Sequence, residues 1–197
     1  EQVTTYFPQD PCKISLLVWG LSEAQHNEIC SLRENIFDLQ AFLEEQKLAH
    51  AVAHPLYSIN GKLNTSHLER LILLFRNFEG INGLREVLLS DLTQHLLAQL
   101  TPEKIAEFAE RHRLAPTHPE PWKKILVGGS DDHGGIFVGS AFTETPDAKS
   151  PGEFLEHIRE GRCCARGEGG TPLVLSRIAF DILGFLALDE IAVRVDT

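Results

Sequence analysis

Asp131 and His133 stand two residues apart in the run Gly128-Gly129-Ser130-Asp131-Asp132-His133-Gly134-Gly135. A carboxylate and an imidazole at that spacing leave a strand on one face and make half of a divalent metal site. The apolar run Ile125-Leu126-Val127 just before them reads as a buried strand. Glycines on both sides leave room for a ligand. The same residues would equally suit a polar turn whose Asp side chains bond the local backbone.

Other ligands are expected at other strand ends. His54 closes the short run Ala51-Val52-Ala53, and Glu1 precedes the run Val3–Phe7. Together Glu1, His54, Asp131 and His133 offer a mixed carboxylate and imidazole set of the kind that binds zinc, manganese or iron. His26, His67, His95, His112 and His157 fall within expected helices and read as surface residues; His50 and His118 are open. Lys123, Lys124 and Arg166 could contact a phosphate, but solvated surface positions account for them as well.

The elements that would position these residues alternate. Strands are expected at Val3–Phe7, Ile14–Trp19, His50–His54, Phe78–Ile81, from Ile125, and at Ile136–Thr143. Helices are expected to start at Ser22, Asn35, Asn64 or Thr65, Leu84, Thr101, Ser150 and Thr171. Such alternation suggests an α/β protein with parallel strands whose carboxyl ends share a site, in a barrel or an open sheet.

Composition narrows the function. The 197 residues suit one domain, and a formal net charge of -10 argues against nucleic-acid binding as the main role. No apolar run suggests a membrane span, and Cys12, Cys30, Cys163 and Cys164 lack a zinc-ribbon spacing, which suits reduced thiols in a cytoplasmic protein. The stretch Ile178 to Val195 reads as part of a core-packing helix. The sequence holds no methionine, and its opening residues look like the body of a strand. Both suggest a chain cut from within a longer one.

The motifs Glu1-Gln2-Val3-Thr4-Thr5, Lys13 to Gly20, Ala53-His54-Pro55, Phe78 to Gly83 and Gly129 to His133 occur in an order that resembles the PHP (polymerase and histidinol phosphatase) family of metal-dependent phosphoesterases. More narrowly, they resemble members found beside or fused to glycosyltransferases. The likeness runs to Gly161 and thins after Arg166, so 167–197 is expected to be a C-terminal helical extension of a single domain spanning 1–197. The resemblance implies an α/β fold, a distorted seven-stranded β/α barrel present here only in part because its first strands are missing. It implies up to three divalent metals, fewer here, and hydrolysis of a phosphorylated small molecule by metal-bound hydroxide. By position Glu1 matches the family's metal-bridging glutamate, His54 its third-motif histidine, and Asp131 and His133 its last two ligands. Two departures count against activity: the family's His-x-His and Thr-Asp-His strands are absent, and Ser15 stands where the family often has histidine. The alternative is a degenerate PHP module with a structural or regulatory role beside a glycosyltransferase.

Overall fold

The helix starts follow from local chemistry. In the computed structural model, which describes residues 1–180, Ser22 caps α1 (Glu23–Leu32) through a capping box with Gln25, and Asn35 caps α2 (Ile36–Glu45). Asn64 caps α3 (Thr65–Leu74), Thr101 caps α5 (Pro102–His112), and Ser150 caps α6 (Pro151–Glu160). Each side-chain oxygen satisfies a backbone N–H that the first helical turn leaves open. Both α5 and α6 carry proline at the start, where no N–H is needed. The helix α4 (Val87–Ala98) has no side-chain cap and begins three residues later than Leu84. A further helix begins at 172 and is described as far as 180.

The strands β1 (Gln2–Thr5), β2 (Ile14–Trp19), β3 (Ala49–Val52), β4 (Asn77–Asn82) and β5 (Ile125–Gly129) form one sheet in that order. The pairs β1–β2 and β2–β3 are antiparallel; β3–β4 and β4–β5 are parallel. Consequently β1, β3, β4 and β5 all run the same way and present their carboxyl ends on one edge. A separate antiparallel pair joins β6 (Ala141–Glu144) to β7 (Cys164–Gly167). The fold is therefore α/β, as expected, but the described strands make an open five-stranded mixed sheet with a two-stranded ladder beside it. They do not close into a barrel. Antiparallel β2 interrupts the parallel order that a β/α barrel requires.

The main core lies between the helices and one sheet face. It includes Val3, Leu16, Val18, Ile29, Leu39, Leu43, Leu73, Phe75 and Phe78. A smaller cluster, Ala49, Ala51, Val127 and Ile158, packs α6 on the other face. There Gly128 lets the ladder approach β5: a Cβ at that position would meet the Phe142 carbonyl oxygen at 2.4 Å. Thr143 Oγ1 then bonds both the amide and the carbonyl of Gly128 at 3.0 Å.

Four expectations change. Residues 136–140 are loop, and the strand begins only at Ala141; β7 was not anticipated at all. His67 and His157 are each only 3 % exposed and belong to the interior. His67 completes the α3 capping box through Nδ1 and pairs with Asp10 through Nε2, while His112 faces the buried Glu69 carboxylate. Lys124 is no solvated lysine: its ammonium donates to the carbonyls of Ile72 and Phe75 at the end of α3. Within the expected extension, Gly170 donates to the carbonyls of Asn82 and Arg85, tying its first residues to the body. The remainder of that extension, including most of the expected core-packing helix to Val195, lies outside the described residues. Among the described residues no helix is long and apolar enough to cross a membrane.

Candidate functional site

The carboxyl ends of β3, β4 and β5 and the exposed face of β1–β2 enclose a cleft of about 450 Å3. Four polar side chains at its centre come from three strand ends: His54, Glu79, Asn82 and Asp131. Strict alternation along β4 would send Glu79 and Asn82 to opposite faces. The pairing with β5 slips between Glu79 and Ile81, leaving Gly80 as an extra residue. That bulge turns both side chains into the cleft, as bulges beside sites commonly do.

Glu79 is 5 % exposed, and its Oε2 accepts from the His54 amide (2.7 Å) and from Asn82 Nδ2 (2.9 Å). Burial pushes its carboxyl up to about 7, and the nearby Asp131 carboxylate adds to the rise. The two hydrogen bonds and the Arg85 guanidinium oppose it. Asn82 Nδ2 also reaches Asp131 Oδ2 at 3.2 Å, and Arg85 Nε stands 3.6 Å from the same oxygen. The Arg85 guanidinium lies over the Tyr57 ring at 3.9 Å, and Tyr57 meets the His54 ring edge to face. The His54 imidazole is held below its usual pKa, chiefly by burial and next by Arg85. At neutral pH it is therefore a neutral imidazole.

Two backbone strains sit in the same place. His54 has φ 29° and Asp131 has φ 48°, both left-handed values that residues with a Cβ rarely adopt. Such strain costs on the order of 1–3 kcal/mol per residue and gathers where side chains must be aimed. Asp131 is thus aimed by a turn and not by strand alternation, since β5 ends at Gly129. Asp132 builds that turn, its carboxylate accepting from the amides of Gly134 and Phe137. The polar-turn reading of the acidic run therefore applies to Asp132, while Asp131 faces the cleft.

The structure brings two of the four expected residues into the cleft. His54 and Asp131 line the cleft, and His133, largely exposed at 63 %, approaches Asp131 Oδ1 with Nε2 at 3.4 Å. Glu1 is set apart. Its backbone pairs with Val18, which places its side chain with the core-face residues Val3 and Val18, and its carboxylate meets His26 Nδ1 at 2.7 Å. The β1 side chain that faces the cleft is Gln2, with Nε2 3.1 Å from Ser15 Oγ and 3.4 Å from His54 Nε2. Alternation could have shown this: Val3 and Thr5 are core residues, so Gln2 and not Glu1 takes the other face. Sequence reasoning also missed Glu79, Asn82 and Arg85. For Glu79 the signal was a lone carboxylate within an otherwise buried strand run.

As a metal centre this donor set falls short. Among the described residues, no three His, Cys, Asp or Glu side chains lie close enough to hold one ion. Gln2 and Ser15 put an amide and a hydroxyl where a charged or imidazole ligand would be needed, and Asp131 already faces Asn82 and a guanidinium.

No curated protein and no solved structure matches the chain. A family model described as PHP-associated matches residues 120–163. That segment carries β5, the Asp131 turn, β6 and α6, and the match supports a PHP-related domain here.

Proposed function

We propose that this chain acts as a PHP-related binding module, whose strand-end cleft takes a small phosphorylated ligand without hydrolysing it. The observation that carries the reading is the side chain β1 turns toward His54, the neutral amide of Gln2. With an amide there, β1 adds no charged ligand to the cleft, and a metal would have to rely on the other strand ends. Arg85 and the strained His54 and Asp131 remain as polar groups suited to orient an oxyanion and its hydroxyls. A structural or regulatory role beside a glycosyltransferase belongs to the same proposal.

A second reading is metal-dependent hydrolysis of a phosphate ester, with zinc, manganese or iron. One observation favours it: His54 and Asp131 line one cleft at the carboxyl ends of strands that run the same way, and His133 stands beside Asp131. The two readings separate on metal content and turnover. With manganese or zinc present, the chain is expected to retain less than one ion per molecule and to leave p-nitrophenyl phosphate intact, and Gln2→Glu with Ser15→His should raise metal retention. Turnover by the unaltered chain, abolished by His133→Ala, would refute the binding-module reading.

A further inference from the structure

A second cavity, of about 160 Å3, opens at the opposite end of the parallel strands. Asn77 begins β4 there and pairs with Ile125 at the start of β5. Arg76, Asn77, His50, Thr117, His118 and Arg159 line it. Three observations set it apart from an ordinary surface hollow.

The first is an uncompensated guanidinium. Among the described residues no carboxylate lies within ion-pair distance of Arg76; its hydrogen bond is a long one, 3.5 Å, to the Arg159 carbonyl. The second is an orphaned acceptor. Asn77 is 6 % exposed and donates its Nδ2 to the His50 carbonyl at 3.0 Å, yet among the described residues its buried Oδ1 has no partner. Leaving such an atom unsatisfied costs roughly 1–3 kcal/mol, so natural sites usually supply a donor. The third is that the other charged groups around the cavity are already engaged. Lys124 stands 2.9 Å from His118 Nε2. Burial and the nearby Arg76 hold Lys124 down to about 7, while burial, Lys124 and Arg76 hold His118 down to about 3. Of the remaining charged groups at the wall, Arg159 faces Glu156 at 3.8 Å, and the Glu44 carboxylate stands 3.7 Å from His50. Two carboxylates stand against two guanidiniums, and Arg76 is the charge at the wall left without an opposite partner among the described residues.

We infer that this cavity is a binding site for a small hydroxylated oxyanion, whose charged head meets Arg76 and whose hydroxyl donates to Asn77 Oδ1. A fully deprotonated oxyanion such as sulfate would satisfy the guanidinium but leave the amide oxygen unpaired, because it has no proton to give. A neutral polyol would do the reverse. Only a ligand carrying both groups matches the two deficits, and a three-carbon compound is of the right size for the volume.

Calorimetric titration tests this with glycerol 3-phosphate, glycerate and inorganic sulfate. Saturable binding of either hydroxylated anion is expected, and the tighter of the two tells a phosphate head from a carboxylate head. Sulfate should bind several-fold more weakly. Arg76→Gln, at a half-buried position, should weaken binding by about tenfold or more, as loss of a charge-assisted bond does. Lys62→Gln, an exposed cation outside both cavities, should leave it within about twofold. In the unaltered chain the Asn77 side-chain amide resonance should shift on titration, which a misfolded variant could not mimic. No heat up to about 10 mM ligand, unchanged affinity in Arg76→Gln with a native unfolding midpoint, or an equal loss of binding in Lys62→Gln would overturn the inference.

Discussion

Replacing Glu79 with glutamine tests the electrostatics of the cleft directly. Both hydrogen bonds to Glu79, from the His54 amide and from Asn82, arrive at one oxygen, Oε2, so a glutamine carbonyl oxygen can accept both. The substitution therefore removes the titration and keeps the contacts. Burial raises the Glu79 carboxyl from 4.5 to about 7, so between those pH values the folded chain binds more protons than the unfolded one. Stability from this group is then complete below pH 4.5 and is lost as pH rises to 7 and beyond. At about 1.4 kcal/mol for each pH unit between the two values, the loss reaches about 3 kcal/mol. Urea unfolding of both proteins from pH 4 to pH 8.5 provides the assay. The two stabilities should be similar near pH 4, and Glu79→Gln should become the more stable by up to about 3 kcal/mol at pH 8. Curves that stay parallel over the range would refute the claim that a buried carboxyl with a raised pKa sits at this strand end.

Two further predictions concern how the cleft walls are held. Gly128→Ala sets a Cβ against the Phe142 carbonyl oxygen and should cost about 1–3 kcal/mol in chemical denaturation, because β6 must shift from β5. A smaller loss would mean that the ladder is free to move. Lys124→Met strips the carbonyls of Ile72 and Phe75 of their donor and should lower stability by roughly 1–3 kcal/mol. If Lys124 were a solvated lysine, the change would fall within about 0.5 kcal/mol.

Much of the secondary structure was legible because its causes are local. The Ser22-x-x-Gln25 box, the Asn35 and Asn64 caps, and the prolines after Thr101 and Ser150 start helices in whatever fold contains them. The Ile14–Trp19 strand was equally plain, whereas at Asp131 the sequence left strand and turn open. The Gly80 bulge, by contrast, is visible only as a register shift between two strands, and without it Asn82 would face away from Glu79.

What the sequence by itself determined is therefore the kind and order of the main elements, the cluster of chemical groups near Asp131, and an α/β class. The tertiary structure alone decided which groups meet. It assigned Gln2 instead of Glu1 to the cleft and buried His67 and His157 among core residues. It also paired β6 with β7 across an intervening helix and left the main sheet open. The reason is physical: caps and turns depend on a few neighbouring residues, whereas the inward face of a strand depends on what packs against it, and those partners lie tens of residues away.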